Sequence, residues 1–259
     1  MTEYLTGGRV GQIIRNGETI HRPTGPWTPT IHKLLHHIRA HGFLSGPEPL
    51  GFDNAGNEVV SFIPGEVSNY PLLKTAVSTK ALVSAAQLLR AYHDASASFL
   101  NELPGDAVWM LPKREPEEVV CHGDYAPYNV VLDGSEAVAI IDFDTAHPAP
   151  RVWDIAYALY RWVPLTHPDN PDGFGSEQEK AERAQLFCNA YGLAQTNRLS
   201  LIELVIERLQ VLVDFMQSEA EGGNKAFRAN IADEHHLIYL KDIEYLKVNG
   251  EKFQTEIIS

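Results

Sequence analysis

The chain has 259 residues, of which 44% are hydrophobic and 21% charged, and its formal net charge at pH 7 is −13. This composition predicts a folded protein with a large core, and the acid excess argues against a nucleic-acid partner, which requires basic surface. The N-terminus lacks the basic and apolar regions of a signal peptide, and no uncharged apolar run approaches a membrane span. Because Cys121 and Cys188 lie far apart and outside any CxxC pair, we expect no zinc knuckle or disulfide framework. We therefore expect a soluble cytoplasmic protein with no nucleic-acid or membrane partner.

The acid excess is confined to the later part of the sequence. The first 75 residues hold six acidic and six basic residues, which leaves 28 acidic and 15 basic residues for the remainder. Two turn-rich stretches, at 63–66 and 68–71, fall where the composition changes. We therefore predict a first domain over residues 1–66 and a second domain over residues 67–259.

The first domain has the pattern of short strands around one helix. A strand ending at Gly7-Gly8 precedes strands at 12–15 and 19–22, which the hairpin turn Asn16-Gly17 joins. Thr28-Pro29 predicts an N-cap and the first helical residue, and Gly42 suits the C-terminal cap. Apolar side chains repeat at helical spacing between them, at Ile31, Leu34, Leu35 and Ile38. Two further strands are predicted at 48–52 and 58–63.

The second domain is predicted to be mainly helical. Helices are expected at 76–100, 153–162, 176–191, 197–218 and 233–248. A short strand at 119–121 precedes a hairpin of strands 130–132 and 137–141 across the turn 133–136. The fold class is therefore α+β.

The stretch that carries chemistry is Cys121-His122-Gly123-Asp124-Tyr125-Ala126-Pro127-Tyr128-Asn129, followed by Ile141-Asp142-Phe143-Asp144. Phosphoryl transfer needs a carboxylate facing the acceptor hydroxyl and oxygen ligands that hold Mg²⁺ on the phosphates. Asp124 and Asn129, five residues apart on a tight loop, can meet both needs. Asp124 then faces the hydroxyl, and Asn129 reaches the metal.

The hairpin gives a second indication. Paired positions of an antiparallel hairpin have residue numbers with a constant sum. A turn centred between Ser135 and Glu136 gives a sum of 271, which is also the sum for Asn129 and Asp142. We therefore predict that Asn129 and Asp142 lie side by side, as two ligands of one Mg²⁺ must.

This pattern resembles the catalytic and metal-binding segments of the aminoglycoside phosphotransferase family, which is related to choline kinases and protein kinases. The resemblance rests on His122-x-Asp124-x4-Asn129, on Ile141-Asp142 and on Trp153-Asp154-Ile155-Ala156. It implies a bilobal protein kinase-like fold, with a small β-rich N-lobe containing one helix and a larger, mainly helical C-lobe.

The resemblance also implies roles for individual residues. Asp124 would be the catalytic base, Asn129 and Asp142 would bind magnesium, and His122 and Asp154 would brace the catalytic loop. The segment Ser61-Phe62-Ile63 resembles the hinge that binds the adenine of ATP, or the base of GTP, between the lobes. The segment 7–11, with three glycines, stands where the phosphate-covering loop is expected, although it lacks GxGxxG.

The sequence departs from the kinase pattern in the small lobe. A kinase has a lysine on its third strand that pairs with a glutamate on the following helix. Here that strand offers only His21 and Arg22, and the helix over 29–40 contains no acidic residue. Arg22 or His21 would take the place of the lysine, with Arg22 as the candidate for the nucleotide phosphates.

Other polar and aromatic residues have less specific interpretations. Asp144 is expected to make no direct metal contact. The histidines 32, 36, 37 and 41 predict a polar face or a contact with the nucleotide side, because no third metal ligand on a separate element is evident. Four aromatic residues on one short helix are expected in the core: Trp153, Tyr157, Tyr160 and Trp162.

The sequence therefore predicts an ATP- and Mg²⁺-dependent phosphotransferase acting on a small-molecule hydroxyl. The acidic second domain favours a cationic or polyhydroxyl acceptor such as an aminoglycoside. Candidate acceptor-lining positions are the loop 163–176 and the acids Asp214, Glu219, Glu221, Asp233 and Glu234. The alternative is a pseudokinase-like regulatory module that binds nucleotide, with weak or altered group transfer, which the missing lysine–glutamate pair suggests. The presence of Asp124, Asn129 and Asp142 favours the enzyme.

Overall fold

The computed structural model describes residues 2–5, 13–103 and 105–259. Its N-terminal part holds a five-stranded antiparallel sheet in the order β1-β2-β3-β5-β4. The strands are β1 (Thr2–Leu5), β2 (Ile13–Asn16), β3 (Thr19–Arg22), β4 (Pro49–Phe52) and β5 (Glu58–Ser61). The helix α1 (Thr28–Ala40) lies between β3 and β4 in the chain. The predicted order of three strands, one helix and two strands is confirmed; the segment 7–11 lies outside the described residues.

The ends of α1 follow local sequence rules with one difference. Thr28 is the first helical residue and not the N-cap as predicted, because its hydroxyl accepts the Gly25 N–H at 2.9 Å instead of a helical N–H. Pro29 lies in the first turn, where its missing N–H costs nothing. Gly42 follows the helix with φ +89°, a left-handed conformation that favours glycine at this position.

The C-terminal part is mainly helical. Its helices are α2 (Thr79–Ser96), α3 (Arg151–Trp162), α4 (Glu177–Tyr191), α5 (Leu201–Glu221), α6 (Lys225–Ala232) and α7 (His235–Ile258). Its strands form two antiparallel pairs, β6 (Val119–Cys121) with β9 (His147–Ala149), and β7 (Val130–Asp133) with β8 (Glu136–Ile140). The sequence did not predict α6 or β9, since both are short and β9 contains a proline. In the described residues no helix combines the length and apolarity needed to cross a membrane.

Helix α7 continues ten residues beyond its predicted end at Val248. The sequence Asn249-Gly250 reads locally as a helix stop, but Gly250 serves packing against α5 instead. A Cβ at Gly250 would lie 2.5 Å from Cγ2 of Ile202, so only glycine lets the two helices approach this closely. The tertiary contact therefore overrides the local stop signal.

One buried cluster joins the two parts of the fold. The apolar face of α1 is buried in the same cluster as α2, α3, α4, α5 and α7. Phe43 packs on Tyr92 with ring centroids 5.7 Å apart, and Tyr92 packs on Phe143 at 5.4 Å. The helix that belongs in sequence to the sheet-rich part therefore anchors that part to the helical part.

The register of the β7–β8 hairpin differs from the predicted one. Asp133 pairs with Glu136, so the turn is centred one residue earlier than expected, and an irregularity inserts one extra residue in β8. The Asn129 carbonyl accepts the N–H of Ile141 at 2.9 Å, so Ile141 and not Asp142 lies opposite Asn129. The predicted Asn129–Asp142 pairing is wrong. Asp142 follows the hairpin with a left-handed φ of +61°, and this turn brings its side chain to the cleft by another route.

Candidate active site

Asp154, at the start of α3, holds the loop that follows β6. Its carboxylate accepts the backbone N–H groups of His122 at 2.6 Å and Gly123 at 2.9 Å, and it lies 3.1 Å from Nε2 of His93. Burial alone would raise the pKa of Asp154, but the bonds from His93 and the Gly123 N–H lower it to about 2. The charged carboxylate therefore fixes the backbone of the two residues that precede Asp124.

His122 ties the same loop to the end of the β7–β8 hairpin. Its Nε2 lies 2.9 Å from the Ile141 carbonyl, and its Nδ1 accepts the Asp124 N–H at 3.3 Å. These partners assign the proton to Nε2. Gly123 between them has φ +81°, and a Cβ there would lie 2.4 Å from the Thr145 carbonyl oxygen. Glycine is therefore required where the loop passes under Thr145.

The Asp124 carboxylate lies at the edge of a cleft of about 1070 Å³. Oδ1 accepts the Tyr128 hydroxyl at 2.7 Å, and Oδ2 accepts Nδ2 of Asn129 at 3.0 Å. The Asn129 amide nitrogen also donates to the Asp124 carbonyl at 3.0 Å, which fixes the orientation of the amide. The cleft is lined by Asp124, Tyr128, Asn129 and Asp142 together, so the fold brings the predicted base and both predicted metal ligands to one cleft.

Arg22 on β3 joins the sheet to the acids of the second part. Its Nε donates to Glu58, its Nη1 to Asp142 at 2.7 Å and its Nη2 to Asp144 at 2.8 Å. Glu58 is directly opposite Arg22 in the sheet and is 1% exposed. Its second oxygen lies 2.9 Å from Nε2 of His32 on α1. A glutamate from β5, supported by a histidine from the helix, therefore stands where the kinase pattern has a glutamate from the helix itself.

Sequence reasoning missed this role of Glu58. The kinase pattern places the acidic partner on the helix, whereas the register of the sheet supplies the partner from the neighbouring strand. A signal was present, since Glu58 is an acid at the start of a strand otherwise formed by Val59, Val60 and Ser61. Its interpretation required knowing that β3 and β5 are neighbours.

The residues around Asp142 have the chemistry to hold a divalent cation. Carboxylate and amide oxygens are the ligands that Mg²⁺ prefers, and Asp142, Asp144 and Asn129 supply them. Burial raises the pKa of Asp144 to about 6, an effect that the nearby Asp142 and Glu58 carboxylates increase and Arg22 opposes. One guanidinium thus faces more negative charge than it neutralises. The donor set fits a magnesium ion held by Asp142 and Asn129.

The segment predicted as the hinge lines the same cleft, at Ser61, Phe62 and Ile63. The Ser61 N–H donates to the Glu48 carbonyl and the Phe62 N–H to the Glu18 carbonyl, at 2.9 and 2.8 Å. Among the described residues, the backbone groups of Ile63 make no hydrogen bond. Ile63 therefore offers the backbone donor and acceptor that a nucleobase would require.

The far side of the cleft is built around Arg161 on α3. Five tyrosine rings surround its guanidinium, with the guanidinium carbon 5.0 to 5.8 Å from each ring centroid: Tyr70, Tyr128, Tyr157, Tyr160 and Tyr239. Trp153 and Trp162 are core residues as predicted, but Tyr157 and Tyr160 also border the cleft. Helical spacing could not separate them, because the cleft lies against the same buried face.

The acids proposed from sequence as acceptor contacts mostly lie elsewhere. Four of them are exposed on the surface: Asp214, Glu221, Asp233 and Glu234. Glu219 borders a second pocket of about 240 Å³ beside Asp144. The loop 163–176 does reach the main cleft, through Pro171 and Asp172. Tertiary structure therefore places little of the acid excess at the site.

The α1 histidines have separate roles. His32 contacts Glu58, and His36 is exposed. His37, His41 and Glu102 approach one another closely enough to share an ion. However, both ring nitrogens of His37 already face Glu102 and Ser98, at 3.1 and 2.8 Å. We interpret this group as a hydrogen-bond network that joins α1 to the turn after α2.

Comparisons with known proteins identify the family and the fold of the chain. The model of the phosphotransferase enzyme family matches residues 101–187. A trifolitoxin immunity protein from Rhizobium leguminosarum bv. trifolii is 31% identical over 210 residues, which is 78% of each chain. A choline/ethanolamine kinase family protein from Mesorhizobium loti has a similar structure, with a TM-score of 0.64 and 16% identity over 100% of this chain and 92% of that one.

A second similar structure is the ternary complex of streptomycin, ATP and APH(2″)-IIa, with a TM-score of 0.54 and 12% identity, covering 88% of this chain and 89% of that chain. These likenesses show the fold, which is the protein kinase-like fold of aminoglycoside phosphotransferases and choline kinases. The extent of the match to the immunity protein and the family match over the segment with Asp124, Asn129 and Asp142 show the family. The chain belongs to the phosphotransferase enzyme family.

Proposed function

We propose that this protein transfers the γ-phosphate of ATP to a hydroxyl of a small molecule, with Asp124 as the catalytic base. The observation that carries the proposal is the meeting of Asp124, Asn129 and Asp142 at one cleft, which also reaches Ile63. Asn129 orients the Asp124 carboxylate through Oδ2, which leaves Oδ1 to the Tyr128 hydroxyl. A substrate hydroxyl would replace that phenol at Oδ1.

The reaction follows from this arrangement. The acceptor oxygen, hydrogen-bonded to Asp124, forms a bond to the γ-phosphorus while the bond between that phosphorus and the β–γ bridging oxygen breaks. The acceptor proton passes to Asp124, and ADP leaves. Asp142 and Asn129 would hold a magnesium ion, which when bound would neutralise negative charge on the phosphates.

The sheet-rich part would bind the nucleotide. The Ile63 backbone would hydrogen-bond the adenine of ATP, or the guanine of GTP, with Ser61 and Phe62 beside it. Arg22 would contact the phosphates, and Glu58 would orient it. In this proposal residues 1–66 cover the nucleotide, and residues 67–259 supply the base, the metal ligands and the acceptor site.

In this proposal the acceptor is a toxic compound that phosphorylation inactivates. A relative with 31% identity is an immunity protein against trifolitoxin, which favours a protective role. A phosphate group adds about two negative charges at neutral pH, enough to abolish recognition by a target that binds an uncharged hydroxyl. An aminoglycoside remains among the acceptors to be tested, since the ATP complex cited above also holds streptomycin.

The proposal is tested by measuring ADP formation from ATP and from GTP with panels of aminoglycosides, amino alcohols, sugars and hydroxy acids. Asp124→Asn keeps the size of the base but cannot accept the proton, and Asp124 lies in the cleft whatever the acceptor is. We expect acceptor-dependent turnover that this substitution reduces by at least about 100-fold. Turnover unchanged in Asp124→Asn would refute the assigned base.

A regulatory nucleotide-binding module is the second candidate. Its support is the contact of Arg22 with both Asp142 and Asp144, which holds two acids of the metal site in an ion-pair network. This candidate predicts that Mg-ATP raises the melting temperature while no acceptor supports turnover. The phosphotransferase predicts the same rise in melting temperature together with acceptor-dependent turnover.

A further inference from the structure

Arg161 is a buried charge whose close hydrogen-bond partners are neutral. It is 7% exposed, and its Nε donates to the Tyr157 hydroxyl at 3.0 Å and its Nη2 to the Tyr239 hydroxyl at 2.8 Å. Burial raises the pKa of Tyr70 to about 12 and also raises the pKa values of Tyr128 and Tyr157. These phenols therefore stay protonated at neutral pH and supply no negative charge.

The carboxylate of Asp172 forms a long ion pair with Arg161 but no hydrogen bond. Asp172 Oδ2 lies 3.9 Å from Nη1 of Arg161, beyond hydrogen-bond distance, and the Asp172 side chain is 37% exposed at the rim. A buried charge normally has a hydrogen-bonded counter-charge. Arg161 borders the cleft, so a carboxylate of a bound ligand can supply the hydrogen-bonded counter-charge that Asp172, at 3.9 Å, does not supply.

The same arrangement disfavours a cationic ligand. A group of aromatic side chains can bind an ammonium ion when the faces of their rings are free. Here the Arg161 guanidinium already lies at the centre of the group of tyrosines. A second cation would meet the buried guanidinium of Arg161, and like charges repel more strongly beside a buried group than in bulk water. The local charge thus has the opposite sign to the overall charge of the chain.

Arg161 also lies at the correct place for acceptor recognition. A chain of hydrogen bonds runs from Asp124 Oδ1 to Tyr128 at 2.7 Å, to Tyr157 at 3.2 Å and to Arg161 at 3.0 Å. We propose that Arg161 binds a carboxylate of the acceptor, so that the acceptor is a hydroxylated acid with its hydroxyl at Asp124 and its carboxylate at the tyrosine-lined guanidinium. This inference rests on the proposed phosphotransfer and specifies its acceptor class.

The experiment uses acceptors in matched pairs that differ only at the carboxyl group. The pairs are glycerate, L-serine and L-homoserine, each with its primary amide, and ethanolamine serves as a cationic comparator. We expect the wild-type protein to prefer an acid over its amide by about 10- to 100-fold in kcat/KM, the range for a hydrogen bond to a charged group. Serine-ended dipeptides with free or amidated termini distinguish a free hydroxy acid from a peptide terminus as the carboxylate source.

Two substitutions with opposite expected effects test whether Arg161 is the residue that binds the carboxylate. Arg161→Met removes the charge with little change in volume, and we expect it to abolish the preference for acids. Asp172→Asn, at a side chain that is 37% exposed, removes the carboxylate that competes for Arg161 and should strengthen the preference several-fold. If the acceptor were cationic, Asp172→Asn would weaken its use instead. Retained stabilisation of both variants by Mg-ATP shows that the nucleotide half of the cleft is folded.

Binding of the same acids, measured calorimetrically in the presence of Mg-ADP, separates the two proposals. Acids that bind the wild-type protein and not Arg161→Met, without turnover, support the carboxylate site and overturn the phosphotransfer. Turnover of amides or amines equal to that of the acids overturns the carboxylate site alone. If no acid binds and no acceptor is turned over, both proposals fail.

Discussion

Arg22→Lys tests whether three contacts from one guanidinium hold the sheet against the helical part. Arg22 reaches Glu58, Asp142 and Asp144 through three different nitrogens, and its side chain is only 15% exposed. A lysine keeps the positive charge but has a single nitrogen, which cannot occupy three separated positions. The substitution therefore removes about two charge-assisted hydrogen bonds while leaving much of the charge attraction.

The expected loss follows from this count. A hydrogen bond to a charged group contributes about 1.5–3 kcal/mol, and the retained charge offsets part of that loss. We therefore expect the free energy of unfolding to fall by about 2–4 kcal/mol. The assay is urea unfolding at 25 °C without nucleotide, because a bound nucleotide would add its own stabilisation.

Arg39→Lys is the matched control. Arg39 pairs with Glu48 at 3.3 Å, and both side chains are at least one-third exposed, so the change should cost less than about 1 kcal/mol. Arg22→Met goes further, because it removes the guanidinium from three acids, and its deficit should shrink towards pH 5 as Asp144, whose pKa burial raises to about 6, becomes protonated. If Arg22→Lys lowers the free energy of unfolding by no more than Arg39→Lys does, the three contacts of Arg22 do not form in solution.

The remaining predictions concern the loop around the base and its brace. Tyr128→Phe removes the hydrogen bond to Asp124 Oδ1 but keeps the ring, so we expect the free energy of unfolding to fall by about 1 kcal/mol. Because the acceptor hydroxyl no longer competes with the phenol, we also expect a lower KM for the acceptor. An unchanged KM would argue against competition at Oδ1. Asp154→Asn weakens the hydrogen bonds that the carboxylate accepts from two backbone N–H groups. The free energy of unfolding in urea should fall by about 3 kcal/mol. A fall of less than about 1 kcal/mol would show that these bonds are dispensable. Burial lowers the pKa of His93 below its ordinary 6.5. As pH falls, His93 therefore takes up a proton in the unfolded chain at a higher pH than in the folded protein, and stability is lost below about pH 6.5. In His93→Gln the decline of the unfolding free energy between pH 7.5 and 5.5 should be shallower by up to about 1.4 kcal/mol per pH unit, and an unchanged slope would show that His93 does not titrate as described.

The sequence alone determined the features that depend on local spacing. The strand and helix order of the first sixty residues, the apolar face of α1 and the segment with Asp124, Asn129 and Asp142 could all be recognised from residue patterns. These features rest on short-range rules, since hairpin turns, helical periodicity and loop motifs use neighbours within a few residues. Fold class and family followed from them.

Tertiary structure decided what depends on contacts distant in the chain. The partner of Arg22 proved to be Glu58, 36 positions away, because strand order and not local pattern chooses the residue opposite Arg22. The register of the β7–β8 hairpin shifted through an irregularity that the turn residues did not indicate, and Gly250 lies inside a helix because of a neighbouring helix. The overall charge favoured a cationic or polyhydroxyl acceptor, whereas folding places Arg161 at the cleft and leaves most candidate acids on the surface. Net charge is a sum over residues, but recognition depends on the few that the fold brings to one site.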